Sequence, residues 1–180
     1  LLCPTQEAIK NLMNEGAPRP SLGGMPQKIK CVGDIMLDLV KKFSFAERAS
    51  KIVKTLSEKP FVLSTIHRQD NVDSDTRLRT ILLELVNLSH VTNVILPVHP
   101  RVRLRLAKLQ DQEIYISPGL KIIDPLGYFD MQFLLSQCLA VVTDSGGLQK
   151  EAYFHEKHCI TLRRETEWVE TIQSGANRLV

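Results

Sequence analysis

Long apolar runs are the first thing this 180-residue sequence lacks. Stretches such as 94–98 and 139–142 are strand-length, whereas a helix that crosses a bilayer needs about 20 such residues. An integral membrane protein is excluded and no membrane partner is expected. Cysteine is scarce. Cys3, Cys31, Cys138 and Cys159 stand far apart, without the C-x-x-C pair that zinc or dithiol chemistry uses. Cys138 and Cys159 lie among apolar neighbours and read as small buried thiols, which suits a reducing compartment. Neither sign of charge dominates, since 23 Lys+Arg against 20 Asp+Glu leave +3. The one basic concentration, Arg101, Arg103, Arg105 and Lys108, is too slight for a nucleic-acid footprint, so no nucleic-acid partner is expected. Also missing are a G-x-S-x-G elbow, a Walker loop, a G-x-G-x-x-G run and a histidine pair at i, i+4 beside an acid. Hydrolase and dinucleotide-oxidoreductase readings lose their weight with them, and neither a metal nor a cofactor is expected.

What is there has the balance of an ordinary globular chain, 43% apolar and 24% charged. At this length it can bury roughly 70% of its unfolded surface, enough for a core without staples. The sequence opens without Met on Leu1-Leu2-Cys3-Pro4, which lacks the basic start and long apolar stretch of a signal peptide. The expectation is a chain cut from something longer.

Thr5 can cap a helix whose apolar positions Ala8, Ile9, Leu12 and Met13 keep helical spacing. Gly16 and Pro18 end it, and Pro18, Pro20, Pro26, Gly23 and Gly24 give residues 17–27 a linker composition that marks a boundary. Beyond it the spacing predicts strands at 29–32, 61–65, 94–98, 120–123, 139–143 and 159–162. Helical stretches fall between them at 35–57 (broken near Phe43), 74–88, 101–109, 128–137 and 147–154. Strands that are apolar throughout, separated by such helices, imply a parallel sheet covered on both faces, a Rossmann-like, doubly wound α/β domain. Such sheets bind ligands at the carboxyl ends of their strands.

Two stretches at those ends can carry chemistry. In Thr143-Asp144-Ser145-Gly146-Gly147-Leu148-Gln149-Lys150-Glu151 a strand gives way to a helix through two glycines, so backbone N–H groups and a positive dipole end lie open to an anion. The Ser145 hydroxyl can add a hydrogen bond to a phosphate, and Glu151 can accept from two ribose hydroxyls. The alternative is a tight turn in which Ser145 merely caps the helix and Glu151 is a solvated acid. In Thr65-Ile66-His67-Arg68, a cation and an imidazole leave the sheet on the same edge, where they could neutralise a diphosphate and move a proton. A histidine simply held by its loop is the alternative there. Val98-His99-Pro100-Arg101 ends the next strand similarly, with a weaker signal, and His155 and His158 read as flanks of a turn.

Taken together, Thr65-Ile66-His67-Arg68-Gln69-Asp70-Asn71, Pro97-Val98-His99-Pro100, Asp124-Pro125-Leu126-Gly127-Tyr128, the 143–151 stretch and Arg163-Arg164-Glu165-Thr166-Glu167-Trp168-Val169-Glu170 resemble, in order and spacing, the signatures of the non-hydrolysing UDP-N-acetylglucosamine 2-epimerases. The resemblance implies a glycosyltransferase-B-like architecture, with residues 1–28 as the tail of an amino-terminal domain and linker and 29–180 as a truncated carboxy-terminal nucleotide-binding domain. It implies interconversion of UDP-N-acetylglucosamine and UDP-N-acetylmannosamine by loss of the C2 proton, elimination of UDP and its return. By the same resemblance His67 is the catalytic residue beside the diphosphate. Ser145, Gly146 and Gly147 hold the phosphates, Glu151 the ribose, and Leu126 and Met131 the uracil, where Gln and Phe are common in the family. Arg68 is a substrate-binding residue that, with His99, also matches positions near a second, regulatory UDP-sugar. Asp70 stands where Glu is common. The carboxylates for C2 belong to the other domain, and Glu165, Glu167 and Glu170 do not replace them, so the fragment alone is expected to bind UDP without turning it over. The resemblance further implies a homodimer at full length, a cytoplasmic setting and service in cell-surface polysaccharide synthesis. A UDP-diacetamido-uronic acid substrate, a hydrolysing epimerase and a non-catalytic nucleotide-binding fragment are the competing expectations.

Overall fold

Parallel strands that are apolar at every position need a helical layer on each face, and the chain builds that arrangement. The structure, a computed structural model, describes residues 1–19, 24, 27–43, 45–110 and 117–180. Pro20, Gly23 and Pro26 of the expected connector lie outside these. Contacts divide the chain into two compact units, residues 1–43 and 44–180.

In the first unit β1 (Leu2–Cys3), α1 (Gln6–Asn14), β2 (Lys30–Cys31) and α2 (Ile35–Lys42) follow one another. The Thr5 hydroxyl caps α1 by accepting from the Ala8 amide at 3.2 Å, and Asp34 caps α2 by accepting from Met36 at 2.8 Å. The strand expected at 29–32 as the opening of the larger domain pairs instead with β1, in a two-stranded parallel sheet of its own. The contact boundary accordingly falls after Phe43 rather than before residue 29.

The second unit begins with two short helices, α3 (Phe45–Arg48) and α4 (Lys51–Leu56); the stretch expected over 35–57 breaks near Phe43, where α2 ends, and again between α3 and α4. There follow β3 (Phe61–Thr65), α5 (Gln69–Val72), α6 (Asp75–Ser89), β4 (Asn93–Pro97), α7 (Pro100–Gln110) and β5 (Leu120–Ile123). The chain then runs through α8 (Tyr128–Gln137), β6 (Ala140–Thr143), α9 (Gly146–Phe154), β7 (His158–Thr161), α10 (Val169–Gln173) and β8 (Asn177–Leu179). The six strands form one parallel sheet in the order β5-β4-β3-β6-β7-β8. Three elements of this unit have no counterpart in the sequence reading, the single-turn α5, the short α10 and the polar edge strand β8.

Alternation along the strands distributes the core. Val62, Val94, Leu96, Leu120 and Val142 join Leu78, Leu82 and Leu85 of α6 and Val102 and Leu106 of α7 in one apolar layer. The residues between them, Leu63, Ile95 and Val141, are fully buried too, so both faces are covered. Burial pushes the Cys138 and Cys159 thiols up to about 11, in keeping with inert core thiols. Among the described residues no helix is long and apolar enough to cross a membrane.

The strand order carries the functional consequence. From β3 the chain moves outward through β4 to β5, returns to lay β6 against β3, and moves outward the other way through β7 to β8. The connections therefore diverge between β3 and β6, at the kind of switch point where doubly wound sheets leave a crevice.

Candidate functional site

Register brings the two chemical stretches together. Thr65 and Thr143 are paired at the ends of β3 and β6, and their hydroxyls hydrogen-bond across the strands at 2.6 Å. His67 and Ser145, each two residues further on, therefore leave the sheet side by side. They line one cavity of ≈ 300 Å³ with Thr65, Met131, Gly147, Leu148 and Glu151.

The turn into α9 is held at several points. The Ser145 amide donates to Thr143 Oγ1 at 2.9 Å, and Ser145 Oγ caps the helix by accepting from the Leu148 amide at 3.3 Å. That cap uses an oxygen lone pair and leaves the hydroxyl proton available to an anion, so the capping and binding readings are compatible. The first amides of α9, at Gly146 and Gly147, have no acceptor within the helix. The Trp168 indole N–H donates to the Gly146 carbonyl at 2.7 Å, and Thr166 Oγ1 donates to Gln149 Oε1 at 2.7 Å. Gln149 Nε2 donates in turn to the Ser145 carbonyl at 3.0 Å. Lys150, buried, lies over the Trp168 ring at 3.7 Å. The 163–170 segment thus acts as a clamp on the turn.

Beneath His67 sits the residue that sequence reasoning left without a role. Asp144 is fully buried, and its carboxylate accepts from the backbone amides of His67 (3.1 Å) and Arg68 (2.9 Å) and from Asn71 Nδ2 (3.0 Å). It also pairs with His67 Nδ1 at 2.9 Å. Burial pushes the Asp144 carboxyl up, but hydrogen bonds from the His67 ring, the Arg68 amide and Asn71 outweigh it and hold the group below its ordinary range. His67 moves the other way: the hydrogen bond to Asp144 raises it above 6.5 against the opposing effect of burial. With Nδ1 committed to Asp144, the other ring nitrogen, Nε2, remains to exchange a proton with a ligand. An acid directly after a strand and directly before Ser-Gly-Gly was the signal available, and only the β3–β6 register shows what it touches.

Glu151 is half-buried, and burial raises its carboxyl above the usual range. Gly146 adjoins the cavity; a methyl group on its Cα would run into Glu167 Oε1. Other expected residues lie elsewhere. Arg68 lines a separate cavity of ≈ 580 Å³ with Asp70, Asn71, Arg77, Leu162, Arg163, Arg164 and Glu165. Leu126 is half-buried in the loop before α8. His99 is exposed beyond the end of β4, on the side of β3 away from β6, where its Nδ1 accepts from the Arg101 amide at 3.3 Å. The structure therefore groups His67, Met131, Ser145, Gly147 and Glu151, and leaves Arg68, Leu126 and His99 outside that lining.

Comparison with known proteins extends this picture. The family model for UDP-N-acetylglucosamine 2-epimerase matches residues 1–180. A Pseudomonas aeruginosa protein named UDP-2,3-diacetamido-2,3-dideoxy-D-glucuronate 2-epimerase is 42% identical over all of this chain and 48% of its own length. The structure of UDP-GlcNAc 2-epimerase from Methanocaldococcus jannaschii superposes with a TM-score of 0.81 at 31% identity, over 100% of this chain and 50% of that one. The same enzyme in complex with UDP-GlcNAc and UDP gives a TM-score of 0.80 over 100% of this chain and 49% of that one. The chain spans about half the length of the curated relatives it matches. Its order of motifs, its switch-point cavity and this match over every residue lead to one conclusion: the chain belongs to the UDP-N-acetylglucosamine 2-epimerase family.

Proposed function

We propose that residues 44–180 form the nucleotide-binding part of a UDP-N-acetylglucosamine 2-epimerase, and that residues 1–43 are the tail of the domain completing the enzyme. The observation that carries the reading is a histidine, tied through Nδ1 to a buried carboxylate, that shares a cavity with the open amino end of α9. In this reading the diphosphate of UDP lies against the Gly146 and Gly147 amides and the Ser145 hydroxyl, where N–H groups and the helix dipole offset its charge. Glu151 accepts from the ribose hydroxyls, and Met131 with Leu126 packs against the base. As the bond between C1 and the phosphate oxygen breaks, His67 Nε2 donates to that oxygen, and it takes the proton back when UDP returns. Asp144 keeps the ring oriented and supports its charged form. The groups that move the C2 proton lie outside these 180 residues, so the chain alone binds UDP and does not epimerise it.

A second substrate reading has specific support. The 42% identical relative is named for a diacetamido-glucuronate, and the neighbouring cavity presents Arg68, Arg77, Arg163 and Arg164, a setting suited to a sugar carboxylate. The test is to express the protein that carries this chain, supply UDP-N-acetylglucosamine and the UDP-diacetamido-glucuronate separately in deuterated water, and follow the C2 signal by NMR. Deuterium at C2 with inversion in the first sugar supports the main reading, and in the second alone the alternative. Release of free sugar and UDP would instead mark a hydrolysing enzyme, and no turnover of either would overturn the assignment. The family reading also carries a homodimer, a cytoplasmic setting and a role in cell-surface polysaccharide synthesis, of which the first is tested by light scattering.

A further inference from the structure

Two hydroxyls meet at the switch-point cavity, and the place of their protons follows from what surrounds them. Thr143 closes β6 with no exposed surface, and its Oγ1 already accepts from the Ser145 amide at 2.9 Å. A buried hydroxyl proton needs an acceptor of its own, and the oxygen in reach is Thr65 Oγ1, 2.6 Å away. Among the described residues neither hydroxyl makes a further hydrogen bond. Thr143 therefore donates and Thr65 accepts. The Thr65 proton is left without an acceptor in the fold, and Thr65 is half-buried, lining the cavity beside His67, Ser145 and Gly147.

Register fixes the arrangement. Thr65 and Thr143 are partners in parallel strands and so project from the same face of the sheet. A hydroxyl whose lone pair is occupied from below and whose proton is free above is a donor set for an acceptor in the cavity, and a phosphate oxygen gives such a bond its greatest strength. We propose that Thr65 is a further diphosphate-binding residue, its hydroxyl oriented by Thr143 and donating to an oxygen of the bound nucleotide's diphosphate. The inference rests on the nucleotide site proposed above. Thr65 thus does on β3 what Ser145 does at the start of α9: each accepts a hydrogen bond from its own surroundings and turns its proton toward the ligand.

The test compares UDP with uridine, which lacks the diphosphate, by titrating the ¹⁵N-labelled chain with each and reading the dissociation constants from its amide signals. The unsubstituted chain is expected to bind UDP more tightly than uridine. Thr65→Val keeps the side chain's shape and loses its donor, and UDP affinity should fall about tenfold, the factor expected of one hydrogen bond to a charged acceptor, with uridine affinity unchanged. Thr65→Ser brings the donor back and should restore UDP binding. Thr65→Cys, whose thiol accepts and donates only weakly, should weaken UDP binding as Thr65→Val does, and decides the matter if Thr65→Val does not fold. An unchanged preference for UDP in Thr65→Val, or an equal loss for both ligands, makes Thr65 a mere brace between strands and overturns this inference alone. A Thr65→Ser chain that binds UDP as weakly as Thr65→Val does the same. An unsubstituted chain that binds UDP no better than uridine overturns the nucleotide site itself.

Discussion

Asp144 and His67 illustrate how much of a site a single buried carboxylate can set. Replacing Asp144 by Asn keeps one acceptor for the amides above it but removes the charge that supports the imidazolium. The His67 midpoint, raised above 6.5 in the folded chain, is expected to fall in Asp144→Asn, read from the ring-proton shift in an NMR titration; equal midpoints would remove Asp144 as the cause. The same pair shapes stability against pH. Because His67 is raised, its contribution is complete below 6.5 and disappears as pH climbs through the folded value. Because Asp144 is lowered, its contribution is complete above 3.8 and disappears as pH falls through the folded value. Calorimetric melting temperatures should therefore hold a plateau between these limits and fall on either side, a profile that flattens in Asp144→Asn. At this scale the letters told half the story. Ser145, Gly147 and Glu151 were legible because strand-glycine-helix junctions have a known use, whereas Asp144 acts through contacts between distant segments.

Elements explain the rest of the site's rigidity. Gly147 sits in the first turn of α9 with open space where a Cβ would go, and it lines the cavity. Gly147→Ala is expected to stabilise the helix by about 0.4–1 kcal/mol while weakening UDP binding about tenfold or more, since the methyl occupies the phosphate's approach. Melting and titration of the same sample check both directions, and unweakened UDP binding would move the ligand off this turn. Gln149 links α9 to the clamp and to β8, accepting from Thr166 at 2.7 Å and from Asn177 at 3.1 Å. Gln149→Leu removes the acceptor of the half-buried Thr166 hydroxyl and one of the two acceptors of the buried Asn177 amide nitrogen, and should cost about 1–3 kcal/mol in urea unfolding. The strands β3, β4 and β6 were legible because burial on both faces leaves them mostly apolar. The edge strand β8 was not, since Asn177 is buried through hydrogen bonds with Thr161 and Gln149 rather than through apolarity. The strand at 29–32 was legible in β2 but its pairing was not, because its partner β1, two residues long, is too short to show a period.

For the larger unit as a whole, the sheet's order makes the site. Had β6 returned anywhere but beside β3, His67 and Ser145 would lie on different parts of the edge. Doubly wound topology could be expected from the alternation of elements, but the adjacency of β3 and β6 required the pairing itself. Leu63, fully buried in β3, supports that adjacency, and Leu63→Ala should cost about 2–5 kcal/mol in urea unfolding. The central claim, that the β3–β6 switch point receives the nucleotide, is tested most directly by titrating the ¹⁵N-labelled chain with UDP and following its amide signals. The account predicts saturable shifts concentrated at residues 145–148 and at His67. Shifts confined to other parts of the chain, or none at millimolar UDP, would contradict it.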